Sequence, residues 1–408
     1  GFIFGGQEKF SSDTNVGNVS GDSGKISINN QGTINASGDD SIALLLHNSE
    51  GGAYLYQNPK GNVSEFTFGS VNGSSSPGEI LVTNTGRIVS SGSGGVALKN
   101  SPSSKGKLKI ENKLQGIVQG GKDGIAIYLS SLEGEEINNY GLILGGDDGS
   151  GVSISGLGGP DLINNFGTIK GDIKIGGLTK NLINYSDGRI AARLITLSDN
   201  ISLDQRGVIS PGGANNISNL TLRGKYLSAD TSVMETDLDL NNGQTDKLVF
   251  LNNAEIKGKV RIITNNEGKA KPGNFISEKI FDPKDKIIIE NLKLEKPISV
   301  IGKFNYQLVD NEKNLVLLYD IDYAPDNLDI NSNSLGRAIN NIQKNGNKDF
   351  ESVAAVIFKS KSIKELNNFY KQISGEVSTI QPKLFLGIID DFHYDVFNDI
   401  DRLNSSRQ

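Results

Sequence analysis

The apolar residues of this chain fall in short alternating runs, separated every few positions by Gly, Asn or Asp. SIALLL (41–46), GVALKN (95–100), GIAIYL (124–129) and GVSISG (151–156) are four such runs. Alternation with a period of two, broken by turn residues, predicts strands rather than helices. A second pattern repeats between them: SINNQGTI around Asn30, LVTNTGRI around Asn84, INNYGLI around Asn139 and INNFGTI around Asn165. Two further copies carry insertions, IENKLQGI at Asn112 and LINYSDGRI at Asn184. Successive asparagines lie 54, 28, 27, 26 and 19 residues apart, and periods of this size mark stacked repeat architectures. The first interval is twice its neighbours. It reads as one copy lost within an irregular Gly/Ser-rich insertion at 47–78.

Each unit reads as a strand, a turn at Asn-x-Gly, a second strand and a Gly/Asp turn. One unit alone has no way to bury its apolar face, whereas stacked units bury every face and give each strand an edge partner. The pattern therefore predicts a mainly β fold, a parallel β-helix of roughly ten coils and about 50 Å in length at the spacing of neighbouring strands. Stacked Asn side chains are expected to form hydrogen-bonded ladders at the turns. Tyr140, Phe166 and Tyr185 share the position between Asn and Gly. They predict a ladder of stacked rings or, if exposed as a stripe, a binding surface. No 10–15-residue helical patterns alternate with the strands, which excludes a TIM barrel or a doubly wound sheet.

Beyond Val208 the repeat fades but the strand rhythm continues. It runs to IGKFNYQLVDNEKNLVLLYDI (301–321), with a hairpin turn expected at Asp310-Asn311. The period then changes. SLGRAINNIQKN, DFESVAAVIFKS, SIKELNNFYKQI and LFLGIIDDFHYDVFNDIDRL carry apolar residues at helical spacing, divided by Gly346, Gly375 and Pro382. The organisation is thus a repeat region at 1–206, a β-rich C-terminal cap at 207–325 and an α-helical linker at 326–408.

Composition narrows the function. Fifty glycines oppose a helix-rich globule. A net charge of −6 without a basic stripe opposes nucleic-acid binding. The absence of cysteine excludes disulfides and thiolate metal sites, and suits passage through an oxidising compartment. No run of about 18 apolar residues provides a membrane-spanning helix. GFIFGGQEKF has no signal-peptide pattern and reads as a mature or excised start.

Three motifs, in this order, resemble the passenger part of classical type V autotransporters. VISPGG (208–213) followed by LTL (220–222) resembles the family's approach to its last coils. METDL and TDKLVFLNNAEIKGKV (245–260) are similar to its S-D-x-L-x-V-x-G-x-A-x-L-x-G strands, matched at Asp246, Leu248, Ala254, Ile256 and Gly258. Asn253 departs from that pattern, where glycine is common. GKFNYQLV (302–309) resembles the closing strand pair, with Leu315 or Val316 where the family often has Trp. NNFYKQISGEV (367–377) is similar to the helical region that precedes the translocator barrel. The resemblance covers roughly 25–402. It implies a right-handed β-helix, export through an outer-membrane β-barrel translocator of the same protein, and a cap that starts passenger folding outside the cell.

The chemistry offered by individual residues is modest. GDSGK (21–25) looks like the surroundings of a protease nucleophile, but the His and Asp of such a triad would have to precede it, and no His does. A turn is the expected role. His47 and His393 lie in different modules and make no zinc pair; His393 reads as a helix-face residue. Asp39, Asp40, Asp123, Asp147, Asp148 and Asp172 follow the repeat strands at similar offsets, so stacking would align them along one edge. Aligned carboxylates can hold calcium or hydrolyse glycosides, but Gly-Asp is also ordinary turn chemistry. Solvated turns are expected, with Asp123, Asp147 and Asp148 as the calcium candidates. No cofactor and no catalytic constellation are implied. Loops carry binding, which makes the insertion, with Tyr54, Tyr56 and Phe66, the candidate contact surface. The function expected is a non-enzymatic passenger at the bacterial cell surface or shed from it. It would act in adhesion to a host or bacterial receptor or glycan. The alternatives are a polysaccharide-degrading or polysaccharide-binding β-helix using the acidic turns, and a stalk for a head upstream of residue 1.

Overall fold

A computed structural model describes residues 3–5, 26–49, 52–56, 79–100, 107–130, 134–156, 159, 161–177, 181–199 and 201–374. The chain winds through three long parallel sheets in strict rotation. The first sheet has ten strands, from Ile26–Asn30 to Ile287–Ile289, and the second has ten, from Thr33–Ala36 to Lys293–Glu295. The third runs in parallel from Ile42–Ser49 to Phe281–Pro283, and two antiparallel strands, Gly52–Tyr56 and Ile3–Gly5, extend it beyond the first coil. This is a parallel β-helix, followed by a short helical part.

Inward-facing residues stack on their own kind. In the second sheet Ile88, Val118, Ile143, Ile169, Ile190 and Ile209 are each fully buried and in register from coil to coil. β-Branched side chains suit such a column because their restricted χ1 keeps one rotamer throughout the stack. From Tyr226 the core material changes: Tyr226, Phe250 and Phe281 form a tilted aromatic series with centroids 5.2 and 6.0 Å apart. This change lies some twenty residues beyond the boundary expected at 206/207. The sheets themselves run across it unbroken, since Gln205 pairs with Ser228 and Ile209 with Met234.

The 54-residue interval does not hide a lost coil. Ile26–Asn30 pairs directly with Glu79–Asn84, and Asn30 is in register with Asn84. The first two coils are therefore direct neighbours. Part of the supposed irregular insertion is ordered as a strand pair, with Gly52–Tyr56 antiparallel to Ile42–Ser49 and His47 opposite Tyr54.

The motif glycine has a different cause from the one its sequence suggests. Gly86, Gly141 and Gly167 do not have positive φ. A Cβ on Gly141 would overlap the carbonyl oxygens of Gly116 and Lys113 in the coil before it, and one on Gly167 would overlap that of Gly141. Close approach of stacked backbones therefore selects glycine here. Gly171 is different: its φ of 120° turns the corner between the second and third sheets in one residue.

The C-terminal end is closed by an antiparallel sheet of Gly273–Ile276, Asn314–Ile321 and Gly302–Val309, with the expected turn at Asp310-Asn311, both at φ 56°. Three helices follow: α1 (Ile330–Lys344), α2 (Glu351–Phe358) and α3 (Ile363–Ile373). Asp329 caps α1 by accepting from the Ser332 N–H, and Ser362 caps α3 by accepting from the Glu365 N–H. These helices are packed onto the cap. Tyr370, fully buried, donates to the Tyr323 carbonyl at 2.6 Å, and the Tyr323 hydroxyl donates to the Ala270 carbonyl at 2.9 Å. Gln343 reaches the Gly268 carbonyl at 3.2 Å. Among the described residues no helix is long and apolar enough to cross a membrane. The helical pattern of 384–403, Gly375, Pro382 and His393 lie outside the described residues, as do GDSGK and Phe66.

The stacking account of the glycines has a direct check. Gly141→Ala should destabilise the chain by about 1–3 kcal/mol, the usual range for an overpacked site. Gly32→Ala, in the first coil with open space around its Cβ, should be close to neutral in the same urea titration. Equal effects would assign the glycines to turn conformation instead.

Candidate functional site

The repeat asparagines form a continuous internal spine at the corner between the first and second sheets. Asn30 Nδ2 donates to Asn84 Oδ1 at 2.8 Å, Asn84 to Asn112 at 2.9 Å, and Asn112 to Asn139 at 2.8 Å. Asn139 donates to Asn165 at 2.8 Å and Asn165 to Asn184 at 2.7 Å. Each Nδ2 uses its second hydrogen on a carbonyl of the following coil: Asn84 on Ile117, Asn139 on Thr168, Asn184 on Val208. Burial without such partners would cost several kcal/mol per amide; here both hydrogens and the oxygen are used. The spine ends at Gln205, which accepts from Asn184 at 3.0 Å and turns its own amide onto the Gly207 carbonyl. Ser228 takes the position in the next coil and bonds to the Glu255 and Lys257 carbonyls.

Directly outside this spine lies the aromatic series. Tyr140 and Phe166 stack with centroids 4.8 Å apart and planes 6° apart; Phe166 and Tyr185 stack at 4.1 Å and 13°. Lys113 sits over the outer face of Tyr140 at 5.7 Å and Arg206 over that of Tyr185 at 5.5 Å. The column is therefore cation, three rings, cation, one residue from each of five successive coils. Every ring face is covered, by another ring or by a cation, and only edges are open. Sugar rings bind aromatics through the face, so this stripe, although Tyr140 is 40% exposed, is a structural ladder rather than a stacking platform.

The acidic turns also have local roles. Asp123 and Asp40 occupy left-handed backbone positions, φ 55° and 53°, and Gly94 fills the equivalent place in the coil between them. Asp tolerates that region because its short side chain bonds locally. Asp39 accepts from the Ser93 N–H, and Asp172 accepts from the N–H groups of Arg193 and Leu194. Asp148 accepts from the Ser150 N–H at 2.7 Å, and bonds from Ser150 hold its pKa below the usual carboxylate value. Asp147 is exposed beside it. Among the described residues no three Asp, Glu or His side chains gather to hold a metal ion. Asp123, Asp147 and Asp148 lie in turns between the strands. Tyr54 and Tyr56 lie on the strand Gly52–Tyr56, between Ile42–Ser49 and the edge strand Ile3–Gly5 of the third sheet.

The least expected electrostatics lie in the C-terminal coils. Glu235, almost fully buried on the outer side of the second sheet, pairs with Arg189 one way and with Arg261 at 3.2 Å the other; Arg261 continues to Glu295 at 2.6 Å. Burial would raise the Glu235 pKa, but the two guanidiniums outweigh it and hold it below the ordinary value. Asp246, in the TDKL motif, is fully buried and accepts from the N–H groups of Ser218 (2.7 Å) and Asp237 (2.9 Å). It ties the 212–218 loop to the strand Val233–Asp239. Burial nevertheless pushes its carboxyl up from 3.8 to about 8, and the nearby Asp237 and Glu235 charges add to the shift. No sequence period exposes these pairings, because the partners differ in residue type and lie 46, 26 and 34 positions apart.

Searches against known protein families and characterised proteins find no match to this chain. What the chain does must therefore be argued from its architecture and surfaces.

Two further outcomes are expected. Asn139→Ala strands one hydrogen of Asn112 and the oxygen of Asn165, and should cost on the order of 3 kcal/mol in urea unfolding. For Asp246 the folded-state pKa lies above the unfolded value, so its contribution is complete below about pH 4 and is lost as pH rises toward 8. Glu235, shifted the other way, contributes in full above its ordinary value of 4.5 and loses that contribution only as pH falls through its lowered folded value. Stability measured from pH 4 to 8 should therefore fall in the native chain, and fall less steeply in Asp246→Asn. Parallel slopes would show that Asp246 is ionised throughout.

Proposed function

We propose that this chain is a surface-displayed passenger of the type V autotransporter kind, acting non-enzymatically in adhesion to a receptor or glycan on a host or bacterial surface. The observation that supports the reading is the polarity of the rod. At one end the coils close under an antiparallel sheet with three helices packed on it, the same order of parts as the resemblance in 208–377. At the other end, the 54-residue interval between Asn30 and Asn84, which lie in adjacent coils, holds the strand pair Ile42–Ser49 and Gly52–Tyr56. A rod anchored at its helical end presents that end outward.

The test is to display the chain on cells and replace residues 57–78 with a short Gly-Ser linker, leaving the strand 52–56 intact. Binding to host cells or purified surface glycans should be lost while the urea midpoint of the rod is retained. Unchanged binding would remove residues 57–78 from the contact surface.

A further inference from the structure

A pocket of about 330 Å³ opens where the last two strands of the third sheet meet the hairpin turn of the cap. It is at the small end of the range of small-ligand sites. Lys247, at the start of the strand Lys247–Phe250, lines one side; Lys279 and the strand Phe281–Pro283 line another; Asp310, Lys313 and Asn314 come from the hairpin. These residues are brought together only by the stacking of the eighth and ninth coils under the cap.

Three lysines and two aspartates line the pocket. Lys279 is paired with Asp310 at 2.8 Å, and Asp282 is paired with Lys284 at 2.8 Å. Each carboxylate therefore has a lysine of its own, and Lys247 and Lys313 have no acidic partner among the described residues. Pro283 adds apolar surface beside these charges.

Asn314 is the decisive residue. It is only 7% exposed, and its Oδ1 accepts from two backbone groups, the Phe281 N–H at 3.1 Å and its own neighbour Leu315 N–H at 2.9 Å. Two N–H donors on one atom identify that atom as the oxygen and lock the amide plane. Nδ2 then points the other way, and it donates to no group among the described residues. The amide, held rigid by the backbone, thus presents an open donor in the lining it shares with Lys247 and Lys313.

We infer that this pocket binds an oxyanion, with Asn314 Nδ2, Lys247 Nζ and Lys313 Nζ as its donors. Carboxylate, sulfate and phosphate share the chemistry required, whether as a free anion or as a substituent of an acidic saccharide. Charge-assisted hydrogen bonds from ammonium and amide to such a group are the strong kind. The inference does not depend on the adhesin reading.

Asn314→Asp provides a sharp test. Aspartate keeps an oxygen for both backbone N–H groups, so the fold is retained, but it replaces the inward donor with a negatively charged acceptor. Titration calorimetry with inorganic sulfate, at ionic strength held constant with chloride, should give saturable binding to the native chain. Asn314→Asp should weaken it at least about tenfold, a change of 1.4 kcal/mol. Lys247→Gln and Lys313→Gln should each weaken it several-fold, and Lys293→Gln, outside the pocket, should leave it unchanged. The two lysine variants carry the test if Asn314→Asp lowers the urea midpoint. Sulfated and carboxylated oligosaccharides then separate the sources. Binding tighter than inorganic sulfate assigns the site to an acidic glycan; equal binding assigns it to the free anion. No saturable binding of either probe, or equal binding by all the variants, overturns the inference.

Discussion

A side chain buried in a stack of similar coils meets copies of itself above and below. That constraint decides most of what this solenoid contains. An apolar residue satisfies it by dispersion, provided its rotamer repeats, which is why isoleucine fills the inner columns. A polar residue satisfies it only if it is at once donor and acceptor in the direction of stacking. A carboxylate would repel its copy and an ammonium likewise. The primary amide alone carries a donor pair and an acceptor in one planar group, so Asn30 to Asn184 bond in one direction over six coils. Aligned amides polarise one another, which makes the spine stronger than its separate bonds.

The same constraint operates on the surface of the rod, with a different solution. Aromatic rings at successive corners stack face to face because the coil spacing nearly matches ring contact distance, and the column must then end. Lys113 and Arg206 end it, each placing a cation on the remaining open face. The column is thereby closed at both ends. Charged residues are admitted where neighbouring coils supply the opposite sign, as with Glu235 between Arg189 and Arg261. Where register brings like charges together in the interior, as at Asp237 and Asp246, burial and repulsion raise both carboxyl groups above their usual pKa values.

These rules explain which parts of the architecture were legible in the chain. The Asn spine and the Tyr140–Phe166–Tyr185 ladder were readable because stacking like on like writes a period into the sequence. The doubled interval before Asn84 was misread because spacing alone does not distinguish a missing coil from a long interval between adjacent coils; only the pairing of Asn30 with Asn84 does. The motif glycine was legible as a residue but not in its cause, since a turn and a close backbone approach both exclude Cβ. The docking of the helices on the cap was not readable, because Tyr370, Tyr323 and Ala270 lie far apart in the chain and obey no common period. Nor was the pocket at Asn314, whose chemistry depends on which way one amide faces.

The transition near Gln205 follows from the cost of ending a solenoid. An amide spine can propagate without limit, but its last member must find partners outside the series, and an open coil leaves unpaired strand edges. Gln205 is long enough to fold its amide back onto the Gly207 carbonyl, and the Ser228 hydroxyl then bonds to carbonyls of the next coil and accepts from the Lys257 N–H at 2.6 Å. Freed from the amide, the interior takes Tyr226, Phe250 and Phe281, whose larger volume fills the coils toward the cap. The antiparallel hairpin then lies across the final turns, with the Tyr306 hydroxyl bonded to the Leu292 carbonyl and the Leu315 carbonyl accepting from Ile280. Termination thus requires residues that no repeat supplies. It is there, where chemistry departs from stacking, that Asn314, Lys247 and Lys313 come to share one pocket.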